Sequence, residues 1–286
     1  MKHVILPLFA TITAASHVSA HEAVGRSGLK EPLGVEIESE FYAGERGYLH
    51  GGFGMIAPLN EKQQIGVVGH FVKEESGEEI FPSIGAEFVQ DLGNGAEVEA
   101  FSFGYLQVED QSAWALGLRG RKRFECGGEL AITPFFGPSY ARVRAIDEDT
   151  ESQVSIGHLM LLGGVAIEKG PIECTIFGSH SFFSRDSVGL ETHVDLEEMT
   201  HFAAYENNDG FARDTVGGEF SYSPTDWLTL TARYAAIFYE KETRHSIAFT
   251  PAVNIGEHLE VFAGVQLLRG DGPDNDLVMT GVGYSF

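Results

Sequence analysis

Basic residues are scarce in this 286-residue sequence, with 19 lysines and arginines against 42 aspartates and glutamates and a formal charge of −23. Because nucleic-acid binding needs a basic face, this imbalance excludes a nucleic-acid partner. Long apolar runs are absent too. After the first twenty residues, no segment approaches the ~20 apolar residues of a membrane-spanning helix. Cysteine occurs only at Cys126 and Cys174.

The first twenty residues have the features of a secretory signal peptide. Lys2 gives a basic start, residues 4–15 form a short apolar run, and Val18-Ser19-Ala20 satisfies the small-residue rule for cleavage before His21. The residue directly after the cleavage point is not a cysteine, which argues against a lipoprotein anchor. The sequence therefore predicts Sec-type export, a periplasmic segment over residues 21–32 and a single domain over residues 33–286.

That domain reads as a series of alternating stretches of roughly ten residues closed by turn residues, which is typical of membrane β-strands. About fourteen are predicted, and one misjudged hairpin would make them twelve or sixteen. High glycine and phenylalanine contents, 35 and 21 residues, agree with short strands and aromatic collars. The predicted strands are 35–43, 48–59, 63–72, 80–90, 98–108, 113–124, 130–142, 154–167, 172–183, 215–223, 227–239, 245–254, 258–268 and 277–286.

The connections between these stretches alternate in length. Every second one is a tight turn, such as Gly93-Asn94-Gly95 or Lys169-Gly170-Pro171, and most of the others are longer or more charged. Short periplasmic turns and longer outer loops are the expected asymmetry of a membrane barrel. Alternation within the strands does not by itself decide between a membrane barrel and a soluble barrel or sandwich.

The last strand settles the interpretation. Val278, Thr280, Val282, Tyr284 and Phe286 share one face, and an aromatic residue ends the chain. This resembles the closing strand of bacterial outer-membrane proteins, and the resemblance implies that Tyr284 and Phe286 are recognised by the barrel-assembly machinery. By strand count and size the chain resembles the small monomeric porins of Gram-negative bacteria. We therefore expect an all-β fold, an antiparallel transmembrane β-barrel embedded in outer-membrane lipid and lipopolysaccharide.

With the apolar faces turned to lipid, charged residues must face the lumen, because a charge at the bilayer midplane costs ~2–4 kcal/mol. Facing acidic and basic ladders would set a transverse field in a pore for small hydrophilic solutes or ions. An interior ion-pair network that fills the barrel is the alternative. The predicted lining residues are Glu36, Glu38, Glu40, Arg119, Arg121, Arg123, Arg233, Glu219 and Glu260, and Glu87 would add to this lining.

The longest predicted loop, residues 184–214, would fold into the lumen or stand outside as a lid. It carries His193, Asp195, Glu197 and His201, a set that could bind a divalent cation or respond to pH, although a solvated acidic loop is the simpler interpretation. Acidic outer loops could also meet lipopolysaccharide through bridging divalent cations. Whether Cys126 and Cys174 are bridged is left open, because one predicted strand separates them.

Two other functions are weighed against a channel. A lipid hydrolase at the rim would need a serine, a histidine and an orienting group, and the local candidates Ser179-His180-Ser181 and His245-Ser246 match no outer-membrane hydrolase pattern. An adhesin or receptor would act through the acidic loops. We therefore expect no enzymatic activity and no cofactor. The fifth predicted strand stays undecided, because Phe101 and Phe103 share a face with Glu97 and Glu99.

Overall fold

The computed structural model describes residues 34–44, 49–73, 80–108, 111–147, 152–185, 190–191, 212–240, 242–271 and 275–286. The predicted signal peptide and periplasmic segment lie outside these residues, as does most of the predicted outer loop. In the described part of the chain, no helix has the length and apolar character needed to cross a membrane.

The described residues form strands joined by turns. In chain order, the strands are β1 (Glu36–Ala43), β2 (Leu49–Asn60), β3 (Gln63–Lys73), β4 (Phe81–Gly93), β5 (Ala96–Val108), β6 (Gln111–Lys122), β7 (Phe124–Gly127), β8 (Leu130–Asp147), β9 (Ser152–Lys169), β10 (Ile172–Phe183), β11 (Leu190–Glu191), β12 (Asp214–Thr225), β13 (Leu228–Phe238), β14 (Thr243–Ile255), β15 (Leu259–Gly270) and β16 (Asn275–Ser285).

The strands form a closed antiparallel barrel of fourteen. Segment β7 continues β6 along β8, and the two-residue β11 pairs with the loop-side end of β8, so neither adds to the count. Each other strand pairs with its sequence neighbours, and β1 closes the ring by pairing with β16 from Glu36↔Ser285 to Ala43↔Val278. The prediction of about fourteen strands in an all-β barrel is confirmed.

The tight turns lie where the sequence predicts them. At the β4–β5 turn, Gly93, Asn94 and Gly95 all have positive φ, at 81°, 55° and 73°. Asparagine and glycine tolerate this left-handed region, and such turns match the twist of paired strands. The two chain ends of the barrel lie at the same rim, where the Phe286 amide donates to the Val35 carbonyl at 3.0 Å. We call this rim the turn side and the opposite one the loop side.

Successive residues of each strand point alternately outward and into the lumen, so the wall has an outer and an inner face. Large apolar side chains lie exposed on the outside, among them Trp114, Leu116, Leu118, Phe136 and Ile176, while charged and small residues alternate with them inside. The outward face of β16 is the one predicted, with Val278, Val282, Tyr284 and Phe286 all exposed. An outer apolar band with a polar interior is the pattern that a bilayer requires of a barrel.

The turn at Gly95 gives a test of this backbone geometry. We expect Gly95→Ala to destabilise the barrel, because a left-handed alanine costs ~1–2 kcal/mol and its Cβ would lie 3.0 Å from the Arg123 carbonyl oxygen. Gly128→Ala is the matched control, since Gly128 has φ 62° and no atom within 4 Å of an added Cβ. Urea unfolding in lipid vesicles measures both, and equal losses would contradict the proposed carbonyl contact.

Candidate channel lumen

The predicted acidic ladder on β1 lies at the turn-side mouth of the barrel. Glu36 and Glu38 line a cavity of about 260 Å³ together with Glu260, Asn254 at the end of β14, and the turn residues Asp226, Glu257 and His258. Glu38 and Glu260 lie on either side of Gly283, which is paired with both in the strand register. Glu40 lies deeper and is 6% exposed, and the Tyr42 hydroxyl donates to its Oε2 at 2.9 Å.

The predicted basic ladder is neutralised by nearby strands. The β5–β6 register places Glu97 opposite Arg121 and Glu99 opposite Arg119, and both pairs form ion pairs, the latter at 3.5 Å. Arg123 contacts Glu125 at 2.6 Å and also pairs with Glu168 of β9. The arginines therefore do not face the β1 acids as an isolated positive wall.

A further ion pair joins β12 and β13. Glu219 of β12 and Arg233 of β13 are directly opposed in register, and Oε2 of Glu219 accepts from Arg233 Nε at 2.9 Å and from Nη2 at 2.6 Å. The Glu219 side chain is 3% exposed. The predicted inward residues on β12 and β13 are thus brought together as one buried pair.

The structure decides the face of β5, which the sequence left open. Glu97, Glu99, Phe103 and Tyr105 are all buried in the lumen, whereas Val98 and Leu106 are exposed on the outside. Inward aromatic rings are therefore part of the lining, although the predicted lining residues are all charged. The sequence did contain the information needed. The aromatic residues of β5 share a face with Glu97 and Glu99, and these glutamates must face the lumen because a charge in lipid is costly.

Five inward phenylalanines of the described strands share an arrangement that only the register reveals. Each stands directly opposite a glycine of the neighbouring strand, in the pairs Phe101–Gly117, Phe103–Gly85, Phe135–Gly164, Phe177–Gly217 and Phe262–Gly281. A Cβ added to any of these glycines would overlap the phenylalanine ring. The rings therefore lie along the wall, over the space that the missing side chains leave. We call these pairs the Phe–Gly belt.

Toward the loop side the inner wall becomes more apolar. One buried cluster joins Val68, Phe103, Tyr105, Ala113, Ala115, Ala141, Val143 and Ile156, and a second joins Phe135, Met160, Leu162, Ala166, Phe177, Ala235 and Ile237. Histidines interrupt this surface. His50 stacks on Tyr42 with ring centroids 5.1 Å apart, and His70 lies 5.4 Å from His50 and 5.8 Å from Phe103. The lumen therefore changes from ionic to mainly aromatic and apolar along its axis, with the buried Arg244 of β14 and its partner Glu242, 3.3 Å away, as a charged pair on the loop side.

The hydrolase candidates do not form a catalytic arrangement in the described residues. Ser179 and His180 are adjacent in β10 and so point to opposite faces, and His180 binds Asp214 at 2.6 Å on the outer face. His245 stacks on Tyr234 outside, whereas Ser246 is buried inside against Gln266. His158 does contact Ser181 at 2.9 Å, but no described carboxylate orients that histidine.

The outer loop and the two cysteines were the other predicted sites. His193, Asp195, Glu197 and His201 lie outside the described residues, so the metal or pH site on the outer loop stays a prediction. Among the described residues, no group of three or more histidine, cysteine or acidic side chains could hold a metal ion. Cys126 and Cys174 are both free thiols, with Cys126 exposed.

Comparisons with known proteins bear on the fold. No protein-family profile matches the chain, and no curated protein matches it by sequence. Among solved structures, it resembles CymD, a monoaromatic hydrocarbon channel, with a TM-score of 0.56 and 11% identity over 96% of this chain and 95% of that one. OccAB3 of Acinetobacter baumannii matches with a TM-score of 0.44 at 10% identity, covering 88% and 98% of the two chains. The match to CymD shows a shared fold, the closed antiparallel β-barrel.

The buried Glu219–Arg233 pair gives a test of how the lumen is stabilised. We expect Arg233→Met to cost ~3–5 kcal/mol of unfolding free energy, because it leaves the Glu219 charge buried without its partner. The exposed pair Arg269–Asp276, at 2.6 Å and with side chains 38% and 49% exposed, is the matched control. Arg269→Met should cost no more than ~1 kcal/mol. Similar losses for the two variants in urea unfolding would contradict this assignment.

Proposed function

We propose that this protein is a narrow passive channel of the outer membrane for small solutes. The observation that carries the proposal is the two-part lumen of a closed barrel, with charged residues at one mouth and a Phe–Gly belt above them. A barrel that served only as an anchor or scaffold has no need of an acidic cavity at its mouth, nor of rings that lie along the wall.

The charge of the lining supports a preference for cations. Among the described residues, four inward arginines of the turn-side half, Arg119, Arg121, Arg123 and Arg233, each lie beside a glutamate of another strand. A fifth, Arg244, is buried on the loop side and lies 3.3 Å from Glu242. Further inward carboxylates stand on strands that contribute no arginine to the turn-side half, namely Glu36, Glu38, Glu40, Glu87, Glu173 and Glu260. A surplus of one charge sign raises the local concentration of the opposite ion.

The Phe–Gly belt supports a second property of the substrate. Fully hydrated ions gain no hydrogen bond from phenylalanine rings, whereas a solute with an apolar or aromatic part can pack against them. Besides small hydrophilic solutes, we therefore propose that the channel admits small molecules that combine a polar group with an apolar body. The similarity to CymD, itself a monoaromatic hydrocarbon channel, agrees with this choice.

The burial of the lining supports a narrow passage. Inward side chains on the loop side, such as Val143, Ile156 and Ile237, have 0% exposure, so other atoms cover them and less of the cross-section is open at that level. Barrels of sixteen to eighteen strands hold a wide aqueous channel, and eight strands leave room only for side chains. Fourteen strands with this lining should give small, steady conductance steps rather than the large ones of wide porins.

Ion selectivity tests the charged mouth. We expect the refolded protein to conduct in planar bilayers with a reversal potential that indicates cation preference, because glutamates line the turn-side cavity. The triple variant Glu36→Gln, Glu38→Gln and Glu260→Gln should lose most of that preference. Glu61→Gln, which removes an exposed carboxylate from a turn at the same rim, should leave the reversal potential unchanged. An unaltered reversal potential in the triple variant would remove these glutamates from the conduction path.

Solute passage tests the belt. We expect Gly117→Ala to lower the single-channel conductance and the swelling rate of liposomes in phenylalanine solution, because the added methyl group displaces the Phe101 ring from the wall into the lumen. Adding Phe101→Ala to this variant should restore conductance. Gly104→Ala on the outer face of β5 is the control, since its Cβ would meet only a carbonyl oxygen at 3.7 Å. Full conductance in Gly117→Ala would show that the belt does not border the path.

A further inference from the structure

Three arginines of the described strands stand on the outer wall of the barrel, and Asp276 pairs with one of them, Arg269. The other two, Arg142 and Arg144, lie on β8. Arg142 and Arg144 alternate on β8 with the buried Ala141 and Val143, and both are exposed. The wall of the barrel faces lipid, where an arginine at the midplane is costly. Their height along the strand therefore decides what they meet.

The outward residues of β8 give that height. Ile132, Pro134, Phe136, Pro138 and Tyr140 follow one another on the outer face from the turn side, within the ~9–11 residues that a tilted membrane strand needs. Tyr140 packs against Trp114 of β6 with ring centroids 5.7 Å apart. Tyrosine and tryptophan rings collect at the level of lipid headgroups. Arg142 and Arg144 are the next outward residues beyond these rings.

The surroundings of the two arginines are polar and free of described acidic partners. In the register, Arg142 stands opposite Trp114 and Gly157, and Arg144 stands opposite Ser112 and Ser155. The Arg142 Nε donates to the Ser155 hydroxyl at 2.8 Å, which leaves its terminal nitrogens available. Among the residues that the structure describes, no carboxylate forms an ion pair with either guanidinium.

We propose that Arg142 and Arg144, with Ser112, Ser155, Trp114 and Tyr140 around them, form a binding site for a phosphate group of lipopolysaccharide. The loop side of a membrane barrel faces the cell exterior, so the lipid at this level is that of the outer leaflet. Guanidinium groups bind phosphate through paired, charge-assisted hydrogen bonds. The aromatic rings below would pack against the first part of the acyl chains. The site depends on the outer-membrane placement but not on conduction.

Binding of purified lipid A to the refolded full-length protein in detergent tests the site, with native mass spectrometry counting bound lipid. The measurement is made in EDTA, so that bridging of divalent cations to acidic loops does not contribute. We expect wild type to bind lipid A, and Arg142→Ala/Arg144→Ala to bind at least tenfold more weakly. Lipid A treated with phosphatase should bind wild type as weakly as the variant binds the intact lipid.

Matched variants separate a phosphate contact from general charge. Arg142→Lys/Arg144→Lys keeps both charges but lacks the paired donors, and should give intermediate affinity. Lys122→Ala, at the turn-side end of β6, should bind like wild type. A heat-modifiability gel confirms that each variant folds. Undiminished binding by the double alanine variant, equal binding of dephosphorylated lipid A, or loss of wild-type binding in EDTA would each overturn the proposal. Bilayer conductance is measured separately, so its failure would count against the channel alone.

Discussion

The whole structure depends on the satisfaction of backbone hydrogen bonds by ring closure. In the hydrocarbon core of a bilayer an unpaired N–H or C=O has no water to bind, so strands cross only as a closed barrel. The pairing of β1 with β16 supplies that closure. Once the ring is closed, parity along each strand assigns every side chain either to lipid or to the lumen. Charged side chains within the membrane span must then point into the lumen, and this requirement gives the interior its ionic lining.

Register then determines what those inward residues meet. Directly opposed residues of antiparallel strands are neighbours. Arg121 therefore lies beside Glu97, and Arg233 beside Glu219, without any loop or helix to position them. The same rule places Phe135 and Phe177 over glycines. An unpaired arginine in this interior would carry a large desolvation cost, and a ring without a glycine opposite would project into the lumen. Charge neutralisation and ring placement are thus two results of one set of strand offsets.

Alternation and turn residues were sufficient to predict most of the fold, because both are local features. The predicted strand at 172–183 coincides with β10, and most other bounds differ by only a few residues. The outward face of β16 was predicted from its terminal aromatics. The face of β5 was not, since Val98 and Leu106 on one side are as apolar as Phe103 and Tyr105 on the other. Nor did the sequence show that glutamates of β5 pair with the arginines of β6, because cross-strand partners depend on register, and alternation within a strand does not give the offset between two strands.

The order of the two lumen zones along the axis bears on how the proposed channel would discriminate. A solute that enters from the loop side meets the apolar clusters and the Phe–Gly belt before it reaches the glutamates at the turn side. Water lost at the belt is not replaced there, because phenylalanine rings offer few hydrogen bonds, and a strongly hydrated ion therefore pays the largest desolvation cost at this level. A solute that packs an apolar body against the rings recovers part of that cost. The glutamates at the turn-side mouth then act only on solutes that have already passed the Phe–Gly belt. The belt therefore decides which solutes cross, and the charges decide which of these solutes cross fastest.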